Sequence, residues 1–313
     1  MNDVAEVTRS MRSPQANLTP PPPPPHLAEY VGDRNRPDPV GSYLGAGRAM
    51  REEILLTLPD DWSWQDRRVL DFGCGSGRVL RHFLDEARSG EFYGCDIHAE
   101  SIAWAKQHLS PPVRIFGSDE RPPVSIRDGY LDLVWAMSVF THLTDSWSAW
   151  LLEIHRILKP DGLFITTFMG EGMSEILADE PWDDTRIGMN VLGYGQGWDA
   201  GGPMVLHSPW WIEAHWGRAF EILQLRPTGF IGTGQGLVFM RKRDISLRAD
   251  DLEELEPNEP REISALRHSV RQLQKESGAL NQARDHYAEL ARIRNYPQRA
   301  KNVLRRALRW HRN

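Results

Sequence analysis

The chain has 313 residues, 40% of them hydrophobic, and a formal net charge of −6. That length holds one large domain with appendages, or two domains, and supplies a sizeable core. Two cysteines exclude a disulfide-stapled scaffold, and an acidic body argues against nucleic acid as a partner. No apolar run nears the ~18 residues of a membrane span and the N-terminus has no apolar signal core, so a cytoplasmic protein is expected.

Residues 1–30 read as a disordered Pro-rich segment, in which Pro20 to Pro25 favour an extended polyproline spacer. Over 41–58, Tyr43, Leu44, Ala46, Ala49, Met50, Ile54, Leu55 and Leu58 recur at helical intervals. Next comes Val69-Leu70-Asp71-Phe72-Gly73-Cys74-Gly75-Ser76-Gly77-Arg78. An apolar run enters an acid, then three alternating glycines, then a helical pattern over 77–88. This predicts a buried strand, a tight turn and a helix start. Glycines permit positive φ and close backbone approach, and a helix start offers unpaired N–H groups. The spacing is not that of the dinucleotide fingerprint, and no Gly-Lys-Ser/Thr follows. A polar, nucleoside-like ligand with little phosphate is implied. Cys74 and Cys95 read as small buried thiols.

A second strand, 91–95, ends at Asp96, 25 residues after Asp71. That is near the ~20-residue interval at which an acid reaches a ribose hydroxyl, and a carboxylate suits two adjacent hydroxyls. Strand 113–117 runs into Ser118 and Asp119, and strand 130–136 into Met137 and Ser138. Further strands are predicted at 162–168, 219–226 and 236–242, with helices at 98–109, 145–158 and 208–217. The alternation indicates an α/β fold: a Rossmann-like, seven-stranded, mostly parallel sheet with helices on both faces. No helix separates the last two strands, so the last should return antiparallel. Residues 169–207 are rich in glycine and hold Trp182, Tyr194 and Trp198, which suggests an irregular substrate cover.

Beyond Arg243, residues 250–259 form an acidic, Pro-punctuated linker. Ile263, Leu266, Val270, Leu273 and Leu280 then follow a 3-4 spacing interrupted at Ser277 and Arg284, for a helix that docks on the core or pairs in a homodimer. Residues 291–313 hold seven arginines, one lysine and no acid. The basic amphipathic stretch 296–312 suits a peripheral contact with an anionic membrane, an acidic partner or the protein's own body.

The residues quoted at the first four strand ends, with Ser138-Val139-Phe140-Thr141-His142-Leu143 and Leu158-Lys159-Pro160-Asp161-Gly162, resemble class I S-adenosylmethionine-dependent methyltransferases acting on small molecules or glycans. The resemblance covers about 66–243. It implies a methyltransferase domain over 31–245, followed by an acidic linker and a helical basic tail over 246–313. It also implies S-adenosylmethionine as cofactor: Asp71, Gly73, Cys74, Gly75 and Gly77 around its methionine part, Asp96 at the ribose and Asp119 at the adenine amine, with Ile97 and Ser118 also among the cofactor-binding residues. Met137 and Ser138 would line it, and the 41–58 helix would close over it, with Tyr43 and Arg48 as candidates to reach the site.

Methyl transfer from a sulfonium is an in-line displacement that chiefly needs positioning. A hydroxyl acceptor must also lose its proton. His142, six residues past the fourth strand, has a pKa suited to that role; ordering the loop before the next helix is the alternative. Asp145 is expected to cap that helix. His207, His215 and Asp199 match no ligand spacing, so no metal is expected. Two readings follow: an O-methyltransferase for a sugar, glycan or other small metabolite, and a weakly catalytic cofactor-binding scaffold that recruits partners or membrane through its tail.

Overall fold

The computed structural model describes residues 19–30, 37–178, 181–197, 201–279 and 281–282. The chain divides into two compact units, Met1–Glu120 and Arg121–Asn313.

The first unit opens with an extended stretch at 19–24 and a short helix α1 (Pro25–Tyr30). This part of the expected disordered segment is docked: the Arg81 guanidinium donates to the Pro20 and Pro21 carbonyls at 2.6 and 2.9 Å. Helix α2 (Pro39–Thr57) starts where Asp38 accepts the Gly41 N–H and Pro39 sets the first-turn φ. Three parallel strands follow in the order β3-β2-β1: β1 (Arg68–Phe72), β2 (Glu91–Asp96) and β3 (Arg114–Gly117), with α3 (Ala99–Leu109) between the last two. The near-continuous apolar run of β1 is buried, as a strand covered on both faces requires. The helix expected over 77–88 is replaced by turns and two 3₁₀ segments, Leu80–His82 and Glu86–Arg88. Bonds to the third and fourth preceding residues mix there, as in Arg81 to Gly77 and His82 to Val79.

In the second unit, β4 (Leu131–Ala136) pairs in parallel with β5 (Leu158–Met169), which begins directly at the end of α4 (Trp147–Ile157). After α6 (Pro209–Ala219), β8 (Phe220–Arg226) pairs antiparallel with β9 (Gln235–Lys242), and β9 pairs antiparallel with β5. The return of the last strand is as expected. The cover is more regular than expected: it holds α5 (Glu171–Ala178) and an antiparallel hairpin of β6 (Met189–Leu192) and β7 (Met204–His207). Those two strands bring the number among the described residues to nine. Met169, Ile187, Leu192 and Leu206 form a local core under it. Gly172 of α5 lies backbone to backbone on Gly234, where a Cβ would meet the Gly234 carbonyl oxygen at 2.4 Å. Only glycine allows that approach.

The acidic linker is not extended. It contains α7 (Ala249–Glu253), whose Leu252 is fully buried and whose carbonyl oxygen lies 2.7 Å from His215 Nδ1. Residues 261–279 form a further helix, α8. It docks on this unit through a polar face: Glu262 with His215 at 2.7 Å, Ser269 with Asn190 at 2.8 Å, and Gln272 with Asn190 at 3.2 Å. The 3-4 stripe points outward instead, with Ile263, Leu266, Val270 and Leu273 exposed. Leu280 and the stretch 296–312 lie outside the described residues, as does Asp199.

Candidate cofactor and active site

The first unit gathers Asp71, the glycine turn, Asp96 and Ser118. Gly73, Gly75 and Gly77 all take positive φ, at 79, 54 and 81°. The N–H groups of Gly73 and Cys74 both donate to the Cys95 carbonyl, at 2.9 and 3.0 Å, and Ser118 N–H donates to the Asp96 carbonyl at 3.0 Å. The ends of the three strands are thereby held together by main-chain bonds. The Asp96 carboxylate accepts Gly75 N–H on one oxygen and His98 N–H on the other, each at 2.8 Å. Burial raises its pKa against the pull of those two bonds. Asp71 is buried, and its charge, with Tyr43, steadies the Arg78 guanidinium against the lowering effect of burial. Burial also drives the Cys74 and Cys95 thiols upward, helped by the charges of Asp71 and Asp96, so both are neutral free thiols.

Tyr43 does reach the turn: its hydroxyl lies 3.0 Å from Ser76 Oγ, and burial pushes its pKa up to about 12. Arg48 is exposed, as are Ile97 and Asp119. Three contributors were missed from the sequence. Tyr30 stacks on His98 at 3.9 Å, His26 pairs with Glu100 at 2.8 Å, and Arg81 lies 5.9 Å from the Tyr43 ring. Tyr30 and His26 seat α1 against His98 and Glu100 just past Asp96, while Arg81 holds Pro20 and Pro21. A polyproline run read as a spacer gives no signal of this.

Met137, Ser138 and His142 belong to the second unit. Met137 is buried. Ser138 holds a positive φ of 60°, and its N–H donates to Thr167 Oγ1 at 2.8 Å while its hydroxyl meets Gln235 at 3.3 Å. A left-handed serine costs roughly 1–3 kcal/mol and persists where its surroundings enforce it. Here β5 and β9 do so. His142 Nδ1 lies 2.8 Å from the Pro203 carbonyl, and Val205 N–H donates to the Thr141 carbonyl at 2.8 Å. The cover is therefore fastened to the loop that carries His142. Asp145 is not the cap of α4; Ser146 holds that position without a side-chain bond. Asp145 instead accepts the Tyr194 hydroxyl from the cover. Among the described residues no cluster of His, Cys, Asp or Glu has metal-binding geometry. His215 is engaged with Glu262 and the Leu252 carbonyl, and His207 is fully buried between Trp211 and Trp216.

The first unit's turn and acids lie at the carboxyl ends of parallel strands in an α/β sheet, where ligands bind in such folds. Residues 70–166 match the family model of the methyltransferase domain, and that stretch is similar to class I S-adenosylmethionine-dependent methyltransferases. Among curated proteins, the mouse mitochondrial arginine-hydroxylase NDUFAF5 is 32% identical over 43% of this chain and 38% of its own length. A malonyl-[acyl-carrier protein] O-methyltransferase from Methylovorus is 28% identical over 47% of this chain and 53% of its own. The 2-methyl-6-phytyl-1,4-hydroquinone methyltransferase of Synechocystis is 28% identical over 45% and 42%. The chain thus spans about half or less of the relatives it matches. Among solved structures, the PH0226 protein of Pyrococcus horikoshii superposes with a TM-score of 0.46 at 20% identity, covering 67% of this chain and 94% of that one.

The class cofactor is S-adenosylmethionine, and the donor set fits it. An ionised carboxylate offers about four lone-pair sites. The two backbone N–H groups use two at Asp96 and leave one on each oxygen, the arrangement a vicinal diol requires. Asp71, a buried carboxylate beside the turn, would supply negative charge for an ammonium.

Proposed function

We propose that this chain transfers the methyl group of S-adenosylmethionine to a hydroxyl oxygen of a sugar, glycan or other small metabolite. Asp71 and the glycine turn would hold the methionine part, Asp96 the ribose, and Ser118 and Asp119 the adenine side. Met137 and Ser138 are assigned to the cofactor's lining. The bound cofactor supplies an electrophilic methyl group with a good leaving group. The remaining tasks are to orient the acceptor, exclude water and take up its proton.

One observation carries the base assignment. A carbonyl can only accept, so the His142 contact to Pro203 fixes the proton on Nδ1 and places the basic lone pair on Nε2. Burial, opposed only by that bond, lowers the His142 pKa from its ordinary 6.5. The ring is neutral, and so basic, at neutral pH. Relatives named for acting on an acyl-carrier protein and a hydroquinone use the same domain on different acceptors. An arginine-hydroxylase among them makes methylated product the decisive readout.

The test is incubation with S-adenosylmethionine and fractionated sugars, glycans and phenolic metabolites, followed by mass detection of a one-methylene gain. A fraction that gains this mass with wild-type protein and not with His142→Ala supports the reading. Tight cofactor binding with no methylated product in any fraction would favour the scaffold reading.

A further inference from the structure

A groove of about 960 Å³ runs between α8 and the cover in the second unit. Leu177 of α5 and Leu192 of β6 give it an apolar wall, and Arg186, Arg267, Arg271 and Lys275 line it with positive charge. Glu276 is the one carboxylate in the lining, and no lining residue is a tryptophan, tyrosine or phenylalanine. Such a basic stripe is notable on a chain of net charge −6.

The row Arg267, Arg271, Lys275 does not hold α8 in place. The helix is anchored through Glu262, Ser269 and Gln272. Among the described residues none of the three cations forms an ion pair, and all three are exposed. Side chains four apart on a helix rise by about 6 Å. Alternate side chains of an extended strand are spaced by about 6.8 Å. A strand with acidic residues at every second position therefore matches the cations in step, and its intervening side chains can meet the leucines.

We infer that the groove between α8 and the cover docks an acidic, extended polypeptide segment of another protein. Neither residues 283–313, which are strongly basic, nor residues 1–18, which balance two acids with two arginines, have the matching charge. Single-stranded nucleic acid has comparable charge spacing, but its sites add aromatic platforms for the bases, which this lining lacks. This inference is independent of the methyl acceptor and of His142.

The experiment is fluorescence anisotropy on the full-length protein. The probe is a labelled twelve-residue peptide alternating glutamate with valine and threonine; a glutamine counterpart and an oligothymidylate of equal length are the competitors. The glutamate peptide should bind, the glutamine peptide should not compete, and added salt should weaken binding. R267Q/R271Q/K275Q should lower affinity at least about tenfold, and R271E alone by a few-fold. Both variants should keep the wild-type melting temperature and S-adenosylmethionine affinity. Full-length R305Q/R306Q/R309Q should bind the peptide as wild type does. Unchanged affinity in R271E, tighter binding of the oligothymidylate, or loss of peptide binding in the tail variant would each overturn the assignment.

Discussion

In the glycine turn, the bonds that shape the site join neighbouring strand ends: Gly75 reaches Asp96 across 21 residues, and His98 reaches it across two. In the cover, the fastening bonds span far more chain. Asp145 meets Tyr194 across 49 residues, His142 meets Pro203 across 61, and Asn190 meets Gln272 across 82. The turn is specified by a local sequence and can be rebuilt wherever two such strands lie in register. The cover exists only once distant segments have met. Cofactor binding and acceptor chemistry should therefore fail separately.

The sharpest separation is expected from His142→Ala. Turnover should drop by about 10²-fold or more, the usual contribution of a positioned general base, while calorimetric cofactor affinity stays within a few-fold. The acid limb of the wild-type rate profile should lie below the ordinary histidine pKa of 6.5, because burial favours the neutral ring. Near-normal rates in the variant across pH would leave His142 as a loop-ordering residue.

Asp96→Ala tests the other side. Losing a charged hydrogen-bond acceptor should weaken S-adenosylmethionine binding by at least about tenfold, from a wild-type constant in the micromolar range. Thermal stability should change less than affinity. Unchanged affinity by calorimetry would remove Asp96 from the ribose.

A third test uses pH on the cover. Burial lowers the His207 pKa from 6.5 to about 3, with His215 adding a smaller push in the same direction. The unfolded chain then takes up a proton below pH 6.5 that the folded chain refuses until about pH 3. Stability is full above 6.5 and declines as pH falls between those limits. From pH 7 to 5 this amounts to on the order of 2 kcal/mol. His207→Leu should flatten that part of the curve in urea titrations; an identical slope in both proteins would contradict it.

The smallest effect is expected at Tyr43→Phe, which deletes the bond to Ser76 beside the glycine turn. About 1 kcal/mol of stability should go, read by denaturant melts, with turnover at saturating cofactor unchanged. A large loss of turnover would show that α2 takes part in catalysis.

The same contrast explains what could be read from the sequence. Asp71, the three glycines and Asp96 carry their geometry in short-range chemistry: an apolar run, a turn, and an acid at a strand end. The antiparallel return of β9 was legible because too few residues separate it from β8 to form a crossover. The hairpin of β6 and β7 was not, since its strands are four residues each and lie among glycines that read as loop. Thr167 and Gln235 at Ser138, and Pro203 at His142, gave no signal, because their role depends on which strands become neighbours. The 3-4 stripe of α8 misled in an instructive way: its spacing was right for a helix, but a polar face does the docking.

The contact of Gly172 with Gly234 bears on how the cover could be altered. Neither residue can accept a side chain without moving the other's backbone, so the two positions form a single unit of permissible change. A library that randomised α5 and the loop before β9 to broaden acceptor range would return folded variants with glycine kept at both, and diversity only around them. Breadth of substrate would then have to come from the far end of the cover, where Tyr194 is exposed and a Cβ added at Gly197 would meet nothing within 4 Å.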